Sequence, residues 1–267
     1  MQGDWFKVFE LSSGSDASLS FVITVYVPEG IVMAADSRQI ITIENKQPNG
    51  TISLIETIRS NFVYKIFYLG QQQVGISTFG ESILGKLTIE SHIKRFTEEM
   101  LEADDDVATI PAKLVSYFKA RFPSSDTAFH VAGYKRKGKV SEAQVTHCQI
   151  SRNEIKPLNV HPESKEIVYG TSWGGQGDII ANLLQPGQFM TSDGVTHIPK
   201  PPILFDTLPL QDAIDFSIYA VRTTIDTMRF QTRPKNVGGP IDVLVLGPEG
   251  SHWVQRKGLH GERRQSY

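Results

Sequence analysis

Two consecutive hairpin patterns constrain the fold of this chain more than any other feature. Residues 20–38, SFVITVYVPEGIVMAADSR, contain two runs rich in β-branched residues on either side of a Pro-Glu-Gly turn, which is the usual pattern of a β-hairpin. Residues 61–80 repeat this arrangement around a Gly-Gln-Gln turn. We therefore expect about four antiparallel strands at the start, with residues 39–60 between them as a polar loop or small excursion.

Helical periodicity replaces the strand pattern in the middle of the chain. Residues 89–100 and 107–122 carry apolar side chains at helical spacing, and Pro123 follows the second segment, which predicts two helices. The remaining expected elements are strands at 127–135, 141–150 and 166–170, a helix at 176–185, an irregular connection at 185–202, a long helix after Pro209 and a closing strand at 241–247.

Strands and helices arrive in blocks and do not alternate one by one. This order favours antiparallel sheets covered by helices over a parallel βαβ sheet. The expected fold class is α+β, a four-layer αββα sandwich of two antiparallel sheets. No internal repeat divides it, so we expect a single domain over residues 20–256, an extra or propeptide-like segment at 1–19 and a polar tail at 257–267.

The composition argues against several classes of partner. The chain has 27 Lys+Arg and 29 Asp+Glu, a formal net charge of −2, and no charged block that favours nucleic acid or a membrane surface. Cys148 is the single cysteine, which excludes an internal disulfide and, together with an N-terminus unlike a secretory signal, predicts a cytoplasmic protein. The 7 histidines show no metal-binding spacing, so neither a metal nor a cofactor is expected.

Residues 20–38 resemble the start of proteasome β subunits and their bacterial relatives, which are N-terminal-nucleophile (Ntn) hydrolases. The end of the segment, AADSR, is the most specific part of the resemblance. Gly30 and Asp36 stand ten and sixteen residues after Ser20, as in the family. Ser20 therefore takes the position of the family's catalytic N-terminal threonine. The closing helix and the final strand extend the resemblance to about Val254.

The resemblance implies a specific chemistry. In the family, the free α-amine of the first residue is the base that activates its hydroxyl, and the ordinary pKa of such an amine, about 7.7–8.0, suits this task. Lys65 is expected to favour the neutral amine, Asp36 to orient Lys65, and the backbone N–H of Gly80 to stabilise the oxyanion. The expected supporting residues are Ser172, or Thr171 beside it, and Arg38.

The resemblance also implies partners, namely peptide or unfolded-protein substrates and a homo-oligomeric ring. Two positions depart from the family pattern. Leu19 precedes Ser20 where the family has glycine, and residues 233–237 lack the aspartate and serine found there in the family. A catalytically inactive assembly or scaffold protein of the same fold is therefore an alternative interpretation.

A further alternative rests on residues 170–174. Their sequence, GTSWG, matches the G-x-S-x-G pattern of the nucleophile elbow in α/β-hydrolases. Ser172 would then be the nucleophile, and Asp206 with His252 or His260 would complete a triad. The hairpins of the first half and the absence of an HGGG-like segment argue against this interpretation.

Overall fold

The computed structural model describes residues 9–10, 20–46, 52–138, 140–185, 187–191, 194–198 and 200–258. Its strands are β1 (Phe9–Glu10), β2 (Phe21–Val27), β3 (Gly30–Ala35), β4 (Gln39–Lys46), β5 (Ile52–Ser60), β6 (Ile66–Leu69), β7 (Val74–Phe79), β8 (Ile83–Leu84), β9 (Leu87–Thr88), β10 (Ala128–Lys137), β11 (Val140–Gln149), β12 (Glu154–Pro157), β13 (Gly170–Gly175), β14 (Gly187–Thr191), β15 (Gly194–Ile198), β16 (Asp242–Gly247) and β17 (Gly250–Gln255). Its helices are α1 (Ile89–Met100), α2 (Ile110–Arg121), α3 (Asp178–Leu184) and α4 (Leu210–Phe230).

A six-stranded sheet is built around the first predicted hairpin. Its order is β1-β13-β2-β3-β16-β17, and every pairing is antiparallel except that of β1 with β13. β2 and β3 are buried along their whole length, which explains why both are nearly continuous apolar runs without alternation. The parallel edge strand β1 differs from the purely antiparallel sheet that the sequence predicts, and it comes from the segment before Ser20.

A five-stranded sheet contains the second predicted hairpin. It is antiparallel throughout, in the order β12-β11-β10-β7-β6. α1 and α2 pack on it and bury a cluster that includes Phe96, Phe118 and Phe129. α1 begins where Thr88 accepts a hydrogen bond from Ser91 N, and α2 has a proline in its first turn; both are common signals of a helix start.

The two sheets face each other across an apolar layer. Val22 and Met33 from the six-stranded sheet belong to one buried cluster with Ile66 and Val145 from the other. At Gly75 the sheets approach so closely that an added Cβ would lie 2.6 Å from the Met33 sulfur. On the other side of the six-stranded sheet, α4 packs over β2 and β3. None of the described helices combines the length and the apolar character that a membrane span requires.

Two predicted connections contain strands that the sequence analysis did not predict. Residues 39–60, expected as a polar loop or small excursion, form the hairpin β4–β5 around residues 47–51, which lie outside the described ones. The segment 185–202, expected as irregular, contains the hairpin β14–β15. Both hairpins are separate from the two large sheets. Neither hairpin is part of a large sheet, whose buried strands carry the clearest apolar pattern.

Candidate active site

The carboxylate of Asp36, at the end of β3, is the centre of the candidate site. Oδ1 accepts hydrogen bonds from Lys65 Nζ at 2.6 Å and from Phe21 N at 2.9 Å. Oδ2 accepts from the backbone N–H groups of Arg38 and Gly238, both at 3.0 Å. Only 1% of Asp36 is exposed. One buried carboxylate therefore joins the start of β2, the end of β3 and the segments that precede β6 and β16.

Lys65 lies just before β6 and is also buried. Burial lowers its pKa from the ordinary lysine value; the charge of Asp36 opposes this shift, and the charges of Lys257 and Arg38 add to it. Since burial disfavours a charged amine, Lys65 loses its proton more readily than a surface lysine. The structure thus brings two predicted site residues together as a buried ion pair.

Ser20 directly precedes β2, so the hydrogen bond from Phe21 N to Asp36 holds it beside this ion pair. Its carbonyl accepts a hydrogen bond from Gln176 N at 2.7 Å, and only 3% of Ser20 is exposed. Among the described residues, no hydrogen bond joins the Ser20 hydroxyl to Asp36 or Lys65. In the full sequence its nitrogen forms the peptide bond with the preceding residue. The structure therefore places the backbone of Ser20 beside the ion pair, and the Ser20 nitrogen is not a free amine in this chain.

Gly80 follows β7 and lies at the same end of the sheets as Ser20. The Phe79 ring packs against Gly174, where an added Cβ would lie 2.3 Å from it, and Gly174 pairs with Val22. The φ of Gly80 is +87°, in a region that favours glycine. No described residue accepts a hydrogen bond from its N–H.

Arg38 bonds the backbone of the segment 233–237, where the sequence departs from the proteasome β-subunit pattern. Its guanidinium donates to Asn61 Oδ1 at 2.7 Å and to the Lys235 carbonyl at 2.8 Å. Gly238 lies so close that an added Cβ would be 2.4 Å from the guanidinium carbon. Residues 235–238 are thus attached through their backbone, which needs neither an aspartate nor a serine side chain. Arg38 has a structural role here.

A second buried ion pair, which the sequence reasoning missed, adjoins the first. Lys257 Nζ contacts the carboxylate of Asp242, and Lys257 N donates to the same carboxylate at 2.8 Å. Asp242 begins β16, which pairs with the end of β3, and Lys257 Nζ lies 4.3 Å from the centroid of the Tyr64 ring, next to Lys65. Lys257 was expected in a polar tail. The available signal was Asp242, an acid at the start of an apolar strand that requires a partner.

Thr171 and Ser172 lie inside β13, both buried, and are not brought to Asp36. Ser172 pairs with Thr24, which is four residues along β2 from Ser20, or about 13 Å. The Ser172 hydroxyl is 3.2 Å from the Tyr26 hydroxyl, and burial raises the pKa of Tyr26 to about 12. A serine in the middle of an antiparallel strand lacks the strand-to-helix turn of a nucleophile elbow. The α/β-hydrolase interpretation is therefore wrong.

Two histidines lie buried between the sheets. His130 and His147 are opposite each other on β10 and β11, and the Phe79 ring contacts both. His130 Nδ1 is 3.1 Å from Thr24 Oγ1. Burial lowers the pKa of both imidazoles, that of His147 to about 4, so both are neutral at pH 7. Within the described ranges, no three potential metal ligands of the His, Cys, Asp or Glu type come together.

The fold that carries this site is similar to that of Anbu. The Gly-1 mutant of Anbu from Hyphomicrobium sp. strain MC1 aligns with a TM-score of 0.53 and 12% identity, over 89% of this chain and 86% of that one. Anbu (ancestral beta-subunit) from Yersinia bercovieri aligns with a TM-score of 0.48 and 12% identity, over 88% and 86% of the two chains. No protein-family model and no curated protein matches the sequence. At this identity, the first similarity shows the fold alone.

This similarity corrects the family assignment made from the sequence. Residues 20–38 resemble proteasome β subunits and their bacterial relatives, whereas the structure aligns with Anbu, a distinct group with a proteasome-like fold. A motif as short as AADSR does not separate two groups that share an architecture. The protein therefore has a proteasome-related fold similar to that of Anbu, with several antiparallel sheets and, within the described part of the chain, 4 helices.

Proposed function

We propose that this protein hydrolyses amide bonds in peptides, with Ser20 as the nucleophile after removal of residues 1–19. The observation that carries the proposal is the shared oxygen Oδ1 of Asp36, which accepts from both Phe21 N and Lys65 Nζ. Because both nitrogens donate to the same oxygen, the distance between them cannot exceed the sum of the two hydrogen-bond lengths. A buried lysine this close to the residue before β2 is suited to tuning an amine at that residue.

The proposed reaction begins with the free α-amine that processing would give Ser20. The charge of Lys65 favours the neutral form of this amine. The amine takes the hydroxyl proton while Oγ attacks the substrate carbonyl, and it returns the proton to the leaving nitrogen as the C–N bond breaks. Water then hydrolyses the ester on Oγ and restores the hydroxyl. The unpaired N–H of Gly80 is the proposed donor to the oxyanion.

The finer architecture and the partners belong to the same proposal. Because α4 packs on the six-stranded sheet and α1 and α2 pack on the five-stranded sheet, we infer a four-layer αββα sandwich that forms one domain over residues 20–256. We also infer a homo-oligomeric ring that admits peptides or unfolded chains. A cytoplasmic location fits the single cysteine, Cys148, which is free and buried.

A second candidate function is a non-catalytic assembly unit. Two observations favour it. Ser20 is buried while its nitrogen is bonded to Leu19, and Asp36 has each oxygen engaged by two donors in that state. Intact mass of the protein purified from its own host separates the two functions. A chain that begins at Ser20 supports the hydrolase, and a chain that still carries Leu19 supports the assembly unit.

Hydrolysis of a set of fluorogenic peptides by the chain that begins at Ser20 tests the chemistry. Ser20→Ala should reduce the rate by at least about 100-fold, because both nucleophilic attack and proton transfer require the hydroxyl. Ser217→Ala is the matched control, since Ser217 is equally buried but bonds the Ala213 carbonyl within α4. An unchanged rate in Ser20→Ala would remove Ser20 from the reaction.

A further inference from the structure

The hairpin β4–β5 projects from the rest of the protein. It is a separate two-stranded sheet, and neither strand packs extensively against another described element. Its base is anchored, where Ile40 is buried and Gln39 Nε2 donates to Ser82 Oγ at 2.9 Å. The 9 residues of β5 give an arm roughly 30 Å long. Because an isolated hairpin is at best marginally stable in water, this arm needs a partner.

Four isoleucines of the arm are exposed. Ile43 and Ile55 lie directly opposite each other on one face, and they are 47% and 48% exposed. Ile52 and Ile58, on the other face, are 54% and 45% exposed. In the described residues no strand pairs with the outer edge of β5, and residues 52–60 contain no proline. An open apolar edge of this kind is a template for a strand from another chain.

The residue pattern of β5 identifies the partner, because the positions two and three residues from Ile55 match on both sides, although Leu54 and Glu56 do not match each other. Isoleucine occurs three residues away on both sides, and a small hydroxyl residue, Ser53 or Thr57, occurs two residues away on both sides. A strand that pairs with its own copy about a two-fold axis must be complementary to itself. β5 meets this requirement, and an unrelated peptide would not explain the symmetry.

We propose that a second copy of this chain pairs antiparallel with β5, with the two-fold axis at Ile55. Each Ile55 then lies opposite its own copy, and each Ile52 lies opposite Ile58. Since Ile43 neighbours Ile55 in β4, a row of four isoleucines crosses the resulting four-stranded sheet. Glu56 is the only charged residue in 52–58 and faces residue 54 of the other copy, so no like charges meet.

This contact is independent of the chemistry proposed for Ser20. The hairpin leaves the sheet after Arg38, and its exposed residues make none of the hydrogen bonds that organise Asp36. The contact therefore forms whether the chain is a hydrolase or an assembly unit. A negative peptide-hydrolysis result would not contradict the β5 contact. Absence of the β5 contact would not contradict the role proposed for Ser20.

Single cysteine substitutions test the register directly. In Ile55→Cys the two Cα atoms across the axis would be about 4.5–5.5 Å apart, within the range of about 4.4–6.8 Å that a disulfide requires. In Ile58→Cys, a control of similar exposure, the same atoms would be about 20 Å apart. Native Cys148 is fully buried. Under mild oxidation, Ile55→Cys should form a disulfide-linked dimer in most molecules and Ile58→Cys should not, whereas a mixture of Ile52→Cys and Ile58→Cys should form the mixed dimer.

A charge substitution tests the same two-fold axis without forming a covalent bond. Ile55→Lys places two ammonium groups opposite each other, so the mass measured by light scattering should fall to half that of the wild-type assembly. Thr57→Lys adds the same charge away from the axis and should keep the assembly. Circular dichroism checks that both variants are folded. A monomeric wild type, equal cross-linking of Ile55→Cys and Ile58→Cys, or an Ile55→Lys assembly of unchanged mass would each overturn the proposal.

Discussion

Asp36→Asn replaces one oxygen of a buried carboxylate by an NH2 group, and its effect on stability follows from the hydrogen bonds that the carboxylate accepts. In either orientation the NH2 group faces two donors, either Phe21 N with Lys65 Nζ or Arg38 N with Gly238 N. Lys65 also loses its counter-charge while it is 3% exposed. Removing one member of a buried ion pair costs about 3–5 kcal/mol, a large share of a total stability of about 5–15 kcal/mol.

Lys65→Met is the reference variant, because it breaks the same ion pair from the other side. The Asp36 carboxylate then keeps three backbone N–H donors. The free energy of unfolding should therefore decrease by less than in Asp36→Asn, by about 1–3 kcal/mol. The double variant should be more stable than Asp36→Asn alone, since no unpaired charge remains buried. Urea unfolding followed by circular dichroism, at one protein concentration, measures all three free energies of unfolding.

The pH dependence of the stability of Asp36→Asn is a second test of the buried ion pair. Burial lowers the pKa of Lys65 and the charge of Asp36 opposes this, so Asp36→Asn lowers that pKa further. The unfolded state then binds the proton more tightly than the folded state, and stability falls as the pH falls below the ordinary lysine pKa of about 10.4. The deficit of Asp36→Asn should therefore shrink between pH 7 and about pH 9.5. A deficit under about 1 kcal/mol at pH 7, or a larger loss in Lys65→Met, would refute this reasoning.

Two further predictions concern groups next to the site. Burial lowers the pKa of His147 to about 4, so as the pH falls the unfolded chain takes up this proton before the folded protein does. The free energy of unfolding should therefore fall by about 3 kcal/mol from pH 6.5 to pH 4. In urea titrations, His147→Gln should lose this part of the pH dependence, and an identical pH dependence in the variant would contradict the role given to His147. Gly80→Ala should lower the free energy of unfolding by at least about 2 kcal/mol. Residue 80 has a positive φ, and the added Cβ would lie 2.2 Å from the Asp126 carbonyl oxygen. Gly138→Ala, with positive φ and nothing within 4 Å, should cost only about 1 kcal/mol, and equal losses in both alanine variants would contradict the steric argument.

Elements that pack into the core were predictable, because their signal is local. The strands of the first hairpin, Phe21–Val27 and Gly30–Ala35, are buried on both faces and are therefore almost entirely apolar runs, interrupted only by Thr24. The long helix Leu210–Phe230 keeps one apolar stripe against the sheet. The hairpin over residues 39–60 escaped prediction because it packs on no other large sheet. The isoleucines of β5 stand three residues apart, at 52, 55 and 58, and so lack the alternation that identifies a half-buried strand.

The site was predictable only where a side chain carries the signal. Asp36 and Lys65 were found through the motif and the second hairpin, and the structure joins them as an ion pair. Gly238 donates to Asp36 through its backbone from 202 residues away, and a backbone donor has no sequence signature. The glycines around Ser172 match the nucleophile-elbow pattern for an unrelated reason, because the Phe79 ring packs against Gly174 and leaves no room for a Cβ there.

The double role of Asp36 determines which variant can report on chemistry. Its carboxylate orients Lys65 beside Ser20, but it also ties the start of β2 to Gly238, so Asp36→Asn removes the tuning and loosens the sheet together. Lost activity in that variant would not distinguish the two effects. Ser20→Ala leaves every one of these hydrogen bonds intact, because Ser20 contributes only its backbone carbonyl to the described network. A rate lost in Ser20→Ala at unchanged stability therefore assigns the chemistry to the hydroxyl, and a rate kept there assigns the buried ion pair to the architecture alone.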